Sequence, residues 1–405
     1  MKKVYADNGS TSFPKAPGVA DAIKDFLDNT GCNVNRGAYA AAYDTALDIL
    51  ETRQLLADLF KANSPQEVIF TPGATYSLNM LLQGYLQEGD HVIITSMEHN
   101  AVMRPLHALS KKGISYDVAA CAANGSLWVE DIIPHINKQT KAVVMLHASN
   151  VCGTILPLDD VCEICHKHKL RLIVDAAQTA GIQDIDVQGV DALVFSGHKG
   201  LLAAQGSGGF VIKKNFATEI KPLICGGTGS LSHEVEQPDF LPDKFEAGTP
   251  NIPGIIGLKK ALEYLKRTGI ESIREQEMKL TAAFIDRMSG LGGVKVIGKE
   301  DTVGRVAVVS LDFKDTDNAV IAASLDSKYG IMTRCGLHCA PLAHQTLGTY
   351  PQGTVRFSFG HLNTIDEVEY IARSVKEILK NGANWEPIKT PTARHCEHGE
   401  VIQKV

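Results

Sequence analysis

Lys199 stands in the run SGHKG, directly after the apolar stretch Ala192–Phe195, so an amine is offered where a strand should end. An amine held there can condense with an aldehyde as a Schiff base and exchange that link for an incoming amino acid. Taken singly, a lysine in a glycine-flanked turn is usually just a solvated side chain. Asp175 changes the weighting, because it closes the preceding apolar run LRLIVDAA. A carboxylate at that edge could keep an aromatic ring nitrogen protonated, although an Asp there could also be a plain helix cap. Gln178, three residues on, is a candidate donor to a ring oxygen. An amine and a carboxylate on successive strand ends together point to pyridoxal 5′-phosphate (PLP), an aldehyde with a basic ring nitrogen and a phosphate.

The phosphate needs its own receptor, and the turn TPGAT offers one. Gly73, Ala74 and Thr75 lie between the strand-like VIFT and a helical run, where N–H groups and the positive end of the helix dipole favour an anion. A capped helix with no ligand is the competing reading. Ser196 and His198, beside the lysine, are further phosphate candidates. His99, in SMEHNA at another strand end, suits stacking on a flat ring and moving protons. Two other runs carry ligand-type residues. Cys162 to His168 reads CEICHKH, which the apolar face of a helix explains better than a metal cluster. The HCEH run, His395 to His398, has no second pair nearby, and no metal is assigned to either.

The elements that must position these residues follow from periodicity. From Glu67 to Ile212 short β-branched runs alternate with amphipathic stretches, the pattern of a mostly parallel α/β sheet, and ligands of such sheets gather at the carboxyl ends of strands. After Ile252 comes one long helical pattern, GLKKALEYLKRTGIESIREQEMKLTAAFIDRMSGL, then the strand-like VKVIG, RVAVVSLDF and TVRFSFG with helical runs between and after them. The expected organisation is a large PLP-binding domain over 27–252, a smaller α+β domain over 253–384 with the N-terminal segment 1–26 packing against that smaller domain, and an aperiodic tail over 385–405.

With 405 residues and 44% hydrophobic composition the chain can bury a large core. A formal net charge of −6 without a basic cluster argues against nucleic-acid binding. MKKVYADNGSTSF reaches Asp7 without the apolar run of a secretory signal, and no stretch approaches the roughly 20 apolar residues that span a bilayer, so no membrane partner is expected. Nine scattered cysteines suit reduced thiols in a cytoplasmic protein.

In their order along the chain the motifs DNGSTSF, NRGAY (with Arg36), TPGAT, EHNAV, VDAAQTAG, SGHKG, EAGTPN, RCGLHCAP and GTVRFSFG resemble the class V aminotransferase-like PLP enzymes of fold type I, in particular cysteine desulfurases and selenocysteine lyases. The resemblance runs nearly end to end. It implies that Lys199 carries the cofactor, that Asp175 and Gln178 hold its ring with His99 stacked upon it, and that Thr75, Ser196 and His198 meet its phosphate. It further implies that Asn150 approaches the cofactor oxygen and the substrate carboxylate, that Arg356 clamps that carboxylate, and that Asn8 belongs to the substrate site. Thr249 would reach the phosphate of a neighbouring subunit, making the enzyme a homodimer.

The resemblance also implies a reaction. Cys339, in RCGLHCAP, aligns with the thiol that takes the sulfur atom of L-cysteine as a persulfide while L-alanine leaves, and a separate protein could then accept the sulfur. His338 or Arg334 could favour the thiolate. Cys335, four residues earlier, is a departure from the pattern and is expected to pack in the core. The alternatives are a selenocysteine lyase acting on L-selenocysteine, and a class V aminotransferase or lyase for another amino acid with Cys339 merely structural.

Overall fold

The computed structural model describes residues 2–34 and 37–381. Arg36, the end of the small domain beyond residue 381, and the tail with its HCEH run lie outside the described residues.

Alternating apolar runs form the strands β1 (Val4–Tyr5), β2 (Val68–Thr71), β3 (His91–Thr95), β4 (Ser115–Ala119), β5 (Thr140–Leu146), β6 (Arg171–Asp175), β7 (Ala192–Ser196) and β8 (Gly208–Ile212). Around them lie the helices α1 (Val19–Asp25), α2 (Ala40–Phe60), α3 (Ala74–Tyr85), α4 (Asn100–Ser110), α5 (Leu158–His168) and α6 (Lys214–Ala217). Strands β2 to β8 make one seven-stranded sheet in the order β2-β8-β7-β6-β5-β3-β4. Only β8 runs against its neighbours; the other pairings are parallel. Alternate side chains explain the layers. Val143, Leu172, Leu193 and Val211 face the core shared with α1, α2 and α5, whereas Val144, Ile173, Val194 and Ile212 face the core under α3 and α4. Burial on both faces is why these strands read as unbroken apolar runs.

The remaining elements are α7 (Ile252–Thr268), α8 (Ile270–Met288), β9 (Val294–Ile297), β10 (Val308–Phe313), α9 (Asn318–Tyr329), β11 (Ile331–Met332), β12 (Arg334–Gly336), α10 (Pro341–Thr346), β13 (Thr354–Ser358) and α11 (Ile365–Asn381). Strands β9, β10, β12 and β13 form an antiparallel sheet in the order β12-β13-β10-β9, with α8, α9 and α11 closing its core. The single long helix expected after Ile252 is in fact two. Gly269 sits between them at φ +84°, a left-handed conformation that costs glycine little and that ends α7 before α8 begins.

The N-terminal segment is divided between the two cores. β1 pairs with β11, while Ala16, Val19 and Phe26 pack in the core of the large sheet, as does the apolar face of α7 from Ile252 to Leu265. Between those two anchorages, residues 7–12 run past Lys199 and β13: Ser12 N donates to His198 O at 2.9 Å and Gly9 N to Ser358 Oγ at 2.7 Å. Among the described residues no helix is long and apolar enough to cross a membrane.

Candidate active site

The carboxyl ends of β2, β3, β5, β6 and β7 open onto a cavity of about 570 Å³. Its walls carry Gly73, Ala74, Thr75, His99, Asn150, Asp175, Gln178, Ser196, His198 and Lys199, so ten of the residues singled out in the sequence converge on one space.

Lys199 follows β7 by three residues and lies deep in this cavity. Burial pushes its amine down to about 8, with Arg356 and Arg334 acting in the same sense and Asp175 opposing them. Asp175, the last residue of β6, is 7% exposed, and its Oδ1 accepts the Ala177 N–H at 2.9 Å. Burial raises its pKa above the usual carboxylate value, whereas that hydrogen bond and the Lys199 charge draw it back down. A cation placed beside Asp175 would be stabilised by it, the condition a protonated ring nitrogen requires.

His99 caps α4, and the direction of that hydrogen bond fixes its chemistry. Its Nδ1 accepts the Ala101 N–H at 3.0 Å, which places the proton of the neutral ring on Nε2. Burial, aided by Lys199, Arg334, Arg104 and Arg356, pushes the imidazole down to about 4, so it stays neutral at physiological pH. A flat neutral ring can lie against another aromatic ring without adding a like charge beside Lys199.

At the start of α3, Gly73 adopts φ +154° and the Ala74 N–H donates to Ser196 Oγ at 3.2 Å. The turn can lie this low because position 208 is glycine: a Cβ there would sit 2.7 Å from the Gly73 Cα. The twelve-residue α3 thus points its N-terminus at the cavity, with Ser196 and Thr75 hydroxyls beside it. His198 Nδ1 and Asn150 Oδ1 are buried without a protein partner. Two orphaned polar atoms on residues that line the cavity, together with a helix N-terminus, a buried amine and a buried carboxylate, form a set of polar groups that fits PLP.

Arg356, on β13, is 1% exposed and does not itself line the cavity; it lies behind the wall residue Asn150. Its Nη1 donates to Asn150 O at 3.0 Å, and its Nη2 to Asp7 Oδ1 at 2.8 Å and to Ser10 Oγ at 2.6 Å. Asn150 in turn donates from Nδ2 to His338 O at 2.7 Å, tying this wall to the loop that carries Cys339. His338 and Cys339 both have left-handed backbones, at φ +49° and +58°. Such a pair is uncommon outside glycine and persists where surrounding contacts hold it; here Asn100 N also donates to Cys339 O, at 2.8 Å. The result is an exposed thiol on the rim, lining a groove with Asn79, Gln83, His99 and Arg104.

The two cations expected near this thiol are not equivalent. His338 is 3% exposed, pairs through Nε2 with Thr354 Oγ1 at 3.0 Å, and is kept neutral by burial. Arg334 alone faces the sulfur, with Nη2 3.5 Å from Cys339 Sγ. Cys335 is half-buried against the C-terminal core and burial pushes its thiol up to about 11. Cys165 and the partly buried Cys162 likewise pack on the core from α5, with thiols pushed up to about 12 and about 11 by burial.

Asn8 and Thr249 do not line the main cavity. Asn8 spends its amide on Ser358 O and Asn363 Oδ1, and its carbonyl accepts the Phe13 N–H, beside a small cavity on the far side of Lys199. Thr249 is exposed and meets Asn33 Nδ2 at 3.4 Å. Three residues escaped the sequence reading. Asp7 and Ser10 lie in a motif quoted only for its likeness, and nothing in their spacing announces an arginine 349 and 346 positions away. Glu98 is fully buried beside His99, and burial pushes it up to about 8. Its Oε1 accepts from Thr95 Oγ1 at 2.6 Å and from Leu146 N at 3.1 Å, so it braces the loop after β3 against β5.

Comparison with known proteins places these features in context. The family model described as aminotransferase class-V matches residues 4–371. A protein named probable cysteine desulfurase from Halalkalibacterium halodurans is 33% identical over 392 residues, covering 92% of each chain. Another of that name from Methanothermobacter thermautotrophicus is 30% identical over 94% of this chain and 95% of its own length. Among solved structures, an apo cysteine desulfurase from Thermococcus onnurineus NA1 has a TM-score of 0.88 at 31% identity, covering 94% of this chain and 95% of that one. An S-sulfonic acid form of an Escherichia coli cysteine desulfurase has a TM-score of 0.84 at 28% identity, over 94% of this chain and 95% of its own.

Proposed function

The chain belongs to the aminotransferase class-V family, and from that membership we propose that it is a PLP-dependent cysteine desulfurase, converting L-cysteine to L-alanine with transfer of sulfur to Cys339. The observation that carries the choice of reaction is the exposed Cys339 thiol, held on the cavity rim with a guanidinium 3.5 Å from its sulfur. A structural cysteine would be expected in the core.

PLP, when bound, supplies an aldehyde for the amino group and a cationic ring that draws electrons from the substrate's α-carbon. Lys199 would hold it covalently, Asp175 would pair with the ring nitrogen, and Gln178 and Asn150 would approach ring oxygens. Gly73, Ala74, Thr75, Ser196 and His198 would cradle the phosphate, with His99 against the ring face. Arg356 would bind the substrate carboxylate; Asp7 keeps that buried cation paired until the carboxylate arrives. Lys199, with its amine near 8, can both take the α-proton and return a proton to the substrate carbon.

Sulfur transfer then balances within the enzyme. The Cys339 thiolate forms an S–S bond to the substrate sulfur as the substrate's C–S bond breaks, and the electron pair of that bond remains on carbon, where a proton completes alanine. The Arg334 guanidinium, 3.5 Å from Cys339 Sγ, faces the attacking sulfur. The groove past Asn79, Gln83 and Arg104 offers a sulfur-acceptor protein a path to the persulfide.

A homodimer completes this reading. Tyr39, just before α2, and Tyr43, Leu47 and Leu50 in its first half are 51%, 62%, 57% and 45% exposed, an apolar stripe at helical spacing suited to a second copy. Sedimentation is expected to give the mass of two chains, and Tyr43→Asp to lower it toward one; a wild-type monomer at micromolar concentration would exclude the dimer. All eight described cysteines are free, which suits a reducing cytoplasmic setting.

The reading is tested by supplying the PLP-loaded enzyme with L-cysteine and, separately, L-selenocysteine. Alanine should form from L-cysteine together with a 32 Da mass increase (one sulfur atom, about the mass of S) on the peptide containing Cys339. Turnover of neither amino acid would reject the assignment, and turnover of L-selenocysteine alone would move it to the lyase.

A further inference from the structure

Ser10 has no part in the roles assigned above, yet its hydroxyl joins both active-site arginines. Its Oγ accepts from Arg356 Nη2 at 2.6 Å and from Arg334 Nη1 at 3.2 Å, and it donates to Asp7 Oδ1 at 2.8 Å. Two acceptances and one donation use everything a hydroxyl offers. The two guanidiniums have particular need of such a group. Arg334 on β12 and Arg356 on β13 are direct cross-strand partners in the antiparallel register, an arrangement in which like charges repel. Ser10, with the Asp7 carboxylate behind it, gives both cations one shared acceptor between them.

The remaining contacts make that node matter for the thiol. The Cys339 backbone is pinned by Asn100 N, and the His338 carbonyl just before it by Asn150 Nδ2, so the sulfur sits on a fixed support. The long Arg334 side chain has several rotatable bonds and would otherwise lose its aim to solvent. With Nη1 tied to Ser10, its Nη2 rests 3.5 Å from Cys339 Sγ.

We infer that Ser10 is a positioning residue: it anchors Arg334 beside Cys339 and links the guanidinium that receives the substrate carboxylate to the guanidinium that faces the sulfur nucleophile. The inference rests on the reading of Cys339 as the sulfur acceptor, but its test does not depend on turnover. A failure of desulfuration and a failure of this inference are therefore read by different measurements.

The experiment alkylates the full-length, PLP-loaded enzyme with iodoacetamide at pH 7. Modification of Cys339 is followed by peptide mass spectrometry with fragmentation that separates it from Cys335. Ser10→Ala is expected to slow Cys339 alkylation by about threefold to tenfold, the scale of one lost charge-assisted contact. Ser10→Thr keeps the hydroxyl and should stay near wild type. Arg334→Ala should slow alkylation at least as much, and Ser10→Ala added to Arg334→Ala should change nothing further. An unaltered alkylation rate in Ser10→Ala, or an equal slowing by Ser10→Ala with Arg334 already absent, would overturn the inference.

Discussion

Lys199→Ala is expected to lower alanine formation from L-cysteine by at least about 10⁴-fold, because one substitution removes both the covalent anchor and the proton carrier. General acid–base catalysis by a placed amine contributes roughly 10²–10⁴-fold, and the lost covalent link adds to it. The site supports both tasks. Burial brings the amine to about 8, so near neutral pH a useful fraction is unprotonated, and Asp175 opposes the burial enough to keep the protonated form within reach. The sign of the pH effect follows. In the cofactor-free enzyme, reaction of the amine with added PLP should speed up as pH rises toward about 8 and level off above it, as the neutral amine becomes the dominant form. Borohydride treatment of the loaded enzyme, followed by peptide mapping, should fix the cofactor mass on the peptide containing Lys199. A variant retaining wild-type turnover, or cofactor mass fixed on a different lysine of the wild-type enzyme, would remove the basis of the assignment.

Cys339→Ser should lose sulfur transfer from L-cysteine by about 10³-fold or more while still binding PLP. A serine hydroxyl is not ionised near neutral pH, so the site would keep its shape and lose its nucleophile. Retained binding is expected because Cys339 does not line the cofactor cavity; it lies in the adjoining groove and touches the site through its backbone and Arg334. The absorbance of the loaded variant should match wild type, and no persulfide mass should appear on the corresponding peptide. If the variant desulfurated L-cysteine at the wild-type rate, the thiol would be structural and the choice among class V reactions would reopen in favour of another amino acid. Cys335 is a poor substitute nucleophile, since burial holds its thiol near 11.

These expectations draw unequally on sequence and on structure. The strands that carry Lys199 and Asp175 were legible because they are apolar on both faces, and their polar ends mark the rim of a parallel sheet wherever it is found. The turn that opens α3 was legible for a local reason too: Gly73 and the helix start are neighbours in the chain. Legibility stopped where conformation depended on a single torsion, as at Gly269, whose positive φ divides a helical pattern that runs unbroken through the sequence.

The sequence by itself determined the chemistry on offer: an amine, a carboxylate and an anion-binding turn delivered by local elements to one sheet edge, with a thiol in a motif far downstream. Only the tertiary structure decided how that chemistry is aimed. It turned His99 by a cap hydrogen bond, sent His338 inward to Thr354, left Arg334 facing the sulfur, and laid residues 7–12 between two arginines on a different sheet. Periodicity records which residues are buried, because burial is set by the repeat of the backbone. Partners drawn from opposite ends of the chain leave no such repeat, so the choice among cations and the bridge through Ser10 exist only once the chain has closed on itself.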